Sequence, residues 1–434
     1  MTHQINSPQE NKTGSATPGT ADIPASSGRL SRAPGWVRTL AMAGPAFVAG
    51  AWQFGPGNLT TAVQAGSNFG YQLIWVIAVS TIFMLIFTDM SVRLGISTPT
   101  SLISSIKDLL GKKVGTAAGV GVFFITLMFS VGNAVGSGLG LSLAFGGPAI
   151  LWTVVCTIAV GLVLLFRNVY SVVERVLLVI VGLMGITFVL SAVISKPDWY
   201  RAAEGLVPSI PSGAALLIVA LVGTNFSINA AFFTSYGTKE RGRTAKEYRQ
   251  TTIVDTIPGI IAPGIMTALV ITAAAAILGR TGKDANSIGA LAQIFEPVAG
   301  QVGSFVFALG LSGAAFSSMI ANATAGGTML SDALGRGASP STRAAKLTSA
   351  AILSFGLVIT LSFQTSPVQL IVVAQALTVL VAPFLAVLIV MMSNRDDLMG
   401  PLKNNRWQLA IGSLGCFAVL SMSVLLVLNL LDIA

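Results

Sequence analysis

Charge is what this sequence has least of. Only 9% of its 434 residues are Asp, Glu, Lys or Arg, while 53% are hydrophobic; soluble domains carry roughly 25% charged residues. Mean hydropathy is +0.80. Such a chain leaves no stretch for a water-soluble catalytic domain and reads as a polytopic membrane protein. Histidine is nearly absent. The single one, His3, lies in the N-terminal tail, so no imidazole stands in the apolar region to ligate a metal or relay a proton. The two cysteines, Cys156 and Cys416, fall in separate apolar runs, which leaves disulfide and metal-cluster readings without support. Between Arg38 and Asp89 there is no Asp, Glu, His or Cys at all. Nucleophile–base pairs and phosphate loops are missing too. Gly55–Gly57 and Gly136–Gly140 follow no strand and belong to helices, so an enzyme is not expected.

Residues 1–35 are rich in Ser, Thr, Pro, Gly, Asn and Gln and read as a disordered tail. They lack the apolar core of a cleavable signal peptide, so the first helix is expected to direct insertion. Residues 36–434 then form one transmembrane domain. Lys and Arg outnumber Asp and Glu by 25 to 16. With helices assigned alternately from an inside N-terminus, only Lys196, Arg201, Arg280 and Lys283 fall outside. The other 21 of the 25 lie on the cytoplasmic side, in clusters such as Lys107–Lys113 and Lys239–Arg249. That is the positive-inside bias. It places the chain in the cell membrane, multi-pass, with a cytoplasmic N-terminus and an extracytoplasmic C-terminus. The basic charge faces lipid headgroups, and no nucleic-acid partner is expected. The sequence gives no oligomeric state.

A ruler of about 20 apolar residues per span gives eleven segments: 39–68, 71–94, 116–144, 148–166, 172–194, 213–236, 251–278, 302–330, 344–363, 367–392 and 408–431. Two are interrupted. Segment one breaks at Gly55-Pro56-Gly57-Asn58; segment six carries Gly223-Thr224-Asn225-Phe226-Ser227-Ile228-Asn229. Broken helices expose backbone polar groups, tolerated at membrane depth only around a polar cavity. The two breaks open successive five-helix groups, and an odd-length group re-enters the bilayer inverted. Paired breaks of this kind point to an inverted-repeat carrier with its site at the midplane.

The order of several short stretches resembles the Nramp family of metal-ion transporters, which share the LeuT-type fold. Gly55-Pro56-Gly57-Asn58 resembles the family's Asp-Pro-Gly-Asn in helix 1. Leu73-Ile74-Trp75-Val76 and Arg93-Leu94-Gly95-Ile96 resemble its helix 2, and Ala134 to Trp152 the junction of helices 3 and 4. Ser317-Ser318 and Ala325-Gly326 are similar to helix 8; Gln375 to Pro383 and Met399-Gly400 are similar to helix 10 and the loop after it. The resemblance covers about residues 36–431. It implies an all-α membrane fold of eleven transmembrane helices, a 5+5 inverted repeat with broken helices 1 and 6 plus one extra helix. It also exposes departures. The family's metal-binding Asp is Gly55 here, its helix-6 Met-Pro-His is Ser227-Ile228-Asn229, a second His is Thr234, and its helix-3 acidic pair is matched by Ser130 and Asn133.

A divalent ion in a membrane cavity needs compensating charge, and transition metals favour soft or imidazole ligands. The substrate-binding residues expected here are neutral: Gly55, Pro56, Gly57, Asn58, Thr224, Asn225, Ser227, Asn229 and Gln375. Bare helix N-termini bind anions. The expectation is therefore a secondary carrier for a small inorganic anion, bicarbonate preferred, with no cofactor. Two alternatives stand beside it: a divalent metal carrier for Mn²⁺, Fe²⁺ or Mg²⁺, and a small amino-acid or carboxylate symporter, which would need a larger cavity. A channel would show flux without a coupling ion. For coupling, the LeuT resemblance implies a sodium site from Ala314, Ser317 and Ser318, whose spacing puts i and i+3 on one helix face. Asp89, Arg93 and Asp255 are functional candidates as intramembrane charges, but so near helix ends they are expected to snorkel or pair. Phe54, Phe226, Phe232 and Phe233 are expected to pack or to gate the cavity.

Overall fold

The computed structural model describes residues 44–165, 182, 185–279, 296–363 and 366–431. The expected tail and most of segment five lie outside the described residues. All the described residues are helical or in the turns between helices, with no strand among them. Segment one splits into α1 (Pro45–Gln53) and α2 (Pro56–Phe69), followed by α3 (Ile74–Ser97), the short α4 (Leu102–Leu110), α5 (Lys112–Phe145) and α6 (Ala149–Leu165). α7 (Gly185–Ile194) is the described end of segment five. Segment six is α8 (Ala215–Asn225) and α9 (Ile228–Glu240). α10 (Tyr248–Ile277) carries a π-helical turn at Thr252–Thr256. α11 (Glu296–Ala333), α12 (Arg343–Ser362), α13 (Pro367–Leu377), α14 (Ala382–Ser393) and α15 (Arg406–Leu430) complete the bundle. Among the described residues seven helical stretches, α8 with α9 counted as one, have the length and apolarity to cross a bilayer, and the bent pair α13–α14, at 42°, makes up to eight. The count of eleven stays the sequence's expectation.

Local chemistry sets the helix ends. Pro56 sits in the first turn of α2, where its missing N–H costs nothing. The Ser101 hydroxyl caps α4, Thr342 caps α12, and Asn405 with Gln408 forms a capping box on α15. Close packing then relies on missing side chains: a Cβ on Gly136 of α5 would fall 2.2 Å from Pro56 Cγ, so glycine there lets the helix break lie flat on α5. The outer surface is apolar, with Leu151, Ile158, Leu414, Phe417 and Val424 exposed, as lipid contact requires.

The charged residues near helix ends are paired. Arg93 donates to Asp89 Oδ2 (2.9 Å), Leu402 O (2.7 Å) and Asn404 Oδ1 (2.9 Å), and Tyr248 OH donates to Asp89 Oδ1 at 2.7 Å. Asp255 accepts from the backbone N–H groups of Gly44 (2.7 Å), Ala46 (3.2 Å) and Phe47 (2.8 Å), capping α1 from a distance of two hundred residues along the chain. The basic residues Lys107 and Lys239 meet at one end, on Asp332 O and Thr98 O. At the other end, loop 195–212 is tied to the start of α3: Trp75 Nε1 donates to Ser209 O at 3.0 Å and Trp75 N to Gly205 O at 2.8 Å.

Candidate functional site

Both breaks open onto one cavity. Gly55, between α1 and α2, is extended, with φ −72° and ψ 175°. Its N–H returns to Trp52 O at 3.1 Å and its carbonyl takes Leu59 N at 3.2 Å. Between α8 and α9 the chain makes an inverse γ-turn: Ser227 has φ −78° and ψ 80°, and Ile228 N donates to Phe226 O at 3.0 Å. That turn is open to any residue, which is why segment six breaks without Pro or Gly.

The cavity has about 20 Å³ of space open to the centre of a water-sized sphere, enough for one or two water-sized particles. That is small for an amino acid. α1 contributes Trp52 and Gln53, and the breaks contribute Gly55, Gly57, Asn58, Thr224, Ser227, Asn229 and Ala230. α5 adds Phe129 and Asn133, and α11 adds Ser318 and Asn322. None of these side chains is ionisable. Among the described residues no cluster of three His, Cys, Asp or Glu exists that could hold a metal.

Six of the nine expected substrate residues therefore meet here: Gly55, Gly57, Asn58, Thr224, Ser227 and Asn229. The other three do not line the cavity. Pro56 is turned onto Gly136. Asn225 donates to Ser80 Oγ and Thr81 Oγ1, both at 2.8 Å, so it ties α8 to α3. At 3.6 residues per turn, neighbours such as Thr224 and Asn225 point about 100° apart. Gln375 lies behind α2, in the space a Cβ on Gly57 or Gly132 would need, 2.6 Å from each. Of the sodium trio, Ser318 alone reaches the cavity, its Oγ 3.4 Å from Trp52 O. Ala314 and Ser317 are not among the lining residues: Ser317 points about 100° away from Ser318, and Ala314 shares its face but lies one turn further along α11. Gln53 and Asn322 were missed. Asn322 stands one turn beyond Ser318, which is a weak positional signal; Gln53 offers only its place just before the break.

Hydrogen-bond accounting shows what the cavity offers. Thr224 Oγ1 donates to Leu221 O (3.0 Å) and Ser227 Oγ to Thr224 O (2.7 Å), so these hydroxyls present lone pairs. Asn322 Nδ2 is committed to Thr126 O at 2.8 Å. Asn58 Oδ1 accepts from Thr267 Oγ1 at 3.1 Å. Three buried atoms on cavity-lining residues have no hydrogen-bond partner: the donors Asn58 Nδ2 and Gln53 Nε2, and the acceptor Asn229 Oδ1. Such atoms are costly to leave unpaired and mark where a ligand would bond.

Residues 46–429 match the family model described as "Natural resistance-associated macrophage protein-like" (Nramp). The "Divalent metal cation transporter MntH" of Klebsiella pneumoniae subsp. pneumoniae is 28% identical over 380 residues, 86% of this chain and 90% of that one. A protein of the same name from Yersinia pestis is 29% identical over 294 residues, 66% of this chain and 71% of its own length. Among solved structures, the Eremococcus coleocola manganese transporter in complex with an aromatic bis-isothiourea substituted compound superposes with a TM-score of 0.74 at 20% identity. It covers 92% of this chain and 87% of its own. MhsT in complex with L-phenylalanine gives 0.60 at 14% identity, over 87% of this chain and 98% of its own. These two likenesses speak for the fold alone, the LeuT-type helical bundle. The family match extends over nearly all of the described bundle and both of its breaks, and by it the chain belongs to the Nramp family of membrane transporters.

Proposed function

We propose that this protein is a secondary carrier that moves a small inorganic anion, bicarbonate, through the cavity between the two broken helices. One observation carries the reading: the cavity has no ionisable side chain, yet two buried amide donors there, on Asn58 and Gln53, lack acceptors. A divalent cation would bring two uncompensated charges into low dielectric. An oxyanion would instead satisfy the orphaned donors. The unpaired Asn229 Oδ1 calls for a donor on the ligand, and bicarbonate, unlike nitrate or chloride, has an O–H to give. The first-turn N–H groups of α2 and α9 add partial positive charge. Coupling to Na⁺ is part of the proposal on narrower ground, the approach of Ser318 to Trp52 O. The basic end of the bundle is taken as cytoplasmic, in the cell membrane.

A divalent metal is the second reading. A specific observation favours it: the relatives that align with most of this chain are named divalent metal cation transporters. Against it stands the site's chemistry, since Gly55, Ser227 and Asn229 offer neither the charge nor the soft ligands a transition metal uses.

Proteoliposomes containing the purified protein separate the two. Expected is saturable uptake of labelled bicarbonate, stimulated by an inward Na⁺ gradient, with no Mn²⁺ uptake under the same conditions. Mn²⁺ uptake without bicarbonate flux would reverse the assignment.

A further inference from the structure

We infer that Thr267, on α10, is the positioning residue that anchors one end of the Asn58 amide and so holds the other end towards the cavity. Thr267 is buried and lines no part of the cavity. Its hydroxyl lies 3.1 Å from Asn58 Oδ1 and 2.8 Å from Pro263 O. It has one proton to give and two acceptors in reach. Pro263 O is an interior helix carbonyl that already receives the Thr267 backbone N–H, so it has no need of the hydroxyl. The structure gives Asn58 Oδ1 no donor but this one. With the proton on Asn58 Oδ1, the amide is anchored by its oxygen and Nδ2 is left buried without a partner, which directs a donor at an anion.

The same pair has a second satisfied arrangement. If Thr267 donates to Pro263 O, its lone pair accepts from Asn58 Nδ2, and Asn58 turns its carbonyl to the cavity. Thr267 therefore supports a donor or an acceptor at position 58 and stabilises whichever the ion demands. Its β-branch limits χ1 and keeps the hydroxyl on the Asn58 side. In its donor form this inference rests on the anion reading; the coupling between Thr267 and Asn58 does not.

A double-mutant cycle tests it. Bicarbonate and Mn²⁺ binding are measured calorimetrically on the full-length detergent-purified protein and on Thr267→Val, Thr267→Ser, Asn58→Ala and the Thr267→Val/Asn58→Ala double variant. Thr267→Val is expected to weaken bicarbonate binding about tenfold, as loss of a hydrogen bond supporting a charged ligand does. Thr267→Ser should stay within about twofold of the parent, and Thr267→Val should add less than about twofold on the Asn58→Ala background. Equal losses on both backgrounds, or no loss from Thr267→Val alone, would overturn the inference. If Thr267→Val does not yield folded protein, Thr267→Ala enters the cycle in its place. Should the parent bind Mn²⁺ and not bicarbonate, the anion reading fails by that result alone. The Mn²⁺ arm of the cycle then decides Thr267 by the same non-additivity.

Discussion

At position 55 the backbone is extended, φ −72° and ψ 175°, a conformation open to any L residue. Glycine is therefore not imposed there by the turn. A Cβ would stand 3.0 Å from Ser318 Oγ and 3.3 Å from Asn133 Oδ1, pointing among the polar groups of the cavity. Gly55→Asp would place a carboxylate where the family pattern has one, at the cost of shifts of a few tenths of an ångström in those side chains and at Trp52 O, 3.2 Å from the same Cβ. Bicarbonate affinity is expected to fall at least about tenfold, the scale of a charge-assisted bond lost and a like charge gained, while Mn²⁺ binding becomes measurable by calorimetry. Unchanged affinity for both ions would detach position 55 from selectivity. A second expectation follows from the lining itself. Because no cavity side chain titrates, bicarbonate affinity, referred to the concentration of that species, should be flat between about pH 6 and pH 8. A slope in that window would reveal an ionisable group acting on the site from outside the lining.

At the scale of helices, α1 is capped at its start and packed along its length. The Asp255 carboxylate collects three of its first N–H groups, and a Cβ on Gly50 would collide with Gly259 O at 1.7 Å. α1 and α10 thus meet backbone to backbone. Asp255→Ala removes an anion from a helix N-terminus and strands buried donors, a loss of about 2 kcal/mol; Asp255→Asn, which keeps an acceptor, should lose less. Hydrogen exchange over residues 44–53 reads this directly: protection should drop in the order parent, Asn variant, Ala variant. Equal protection in all three would mean that the packing of α1 on α9 and α10 holds it without the Asp255 cap. The elements also show what was legible beforehand. Gly55-Pro56-Gly57 announced its break because Pro starts a helix and cannot continue one. The break at Phe226 and Ser227 was legible only as a run of polar residues, since an inverse γ-turn has no compositional signature. Which polar residue faces the cavity was beyond reach for Thr224 against Asn225, and for Ser318 against Ser317. A tilt of 100° between neighbours decides it, and the sequence does not carry the helix's rotation about its axis. Asp89 and Arg93 pair with each other, one of the two outcomes expected of them, whereas Asp255 takes backbone N–H groups instead of a counter-charge.

Across the whole molecule, the ion cavity lies next to a second one on the way to the basic end. This lower cavity, about 280 Å³ by the same measure, is lined by Phe233 and Tyr236 of α9 and by Thr324, Thr328 and Met329 of α11. Phe233 is one turn beyond Asn229, and Thr324 follows Asn322, so both helices run from one cavity into the other. Between them stand Trp52, on the ion cavity, and Phe233, on the lower one, with ring centroids 4.4 Å apart. At the wall of the lower cavity, Asp332 accepts hydrogen bonds from the hydroxyls of Ser101, Ser104 and Tyr236, fastening α4 and α9 to α11. An aromatic pair thus lies between the cavities and a polar cluster near it, and a sealing role for either predicts a different effect of its loss. Phe233→Ala removes one ring of the pair and leaves the cluster intact. On a background with Cys156 and Cys416 replaced by serine, a cysteine at Ala230, which lines the ion cavity, reports access. A membrane-impermeant thiol reagent applied from the basic end should modify it several-fold faster when Phe233 is alanine, and saturating bicarbonate should slow that reaction. If Phe233→Ala leaves the rate unchanged while Asp332→Asn raises it, the polar cluster governs entry and the ring pair is packing.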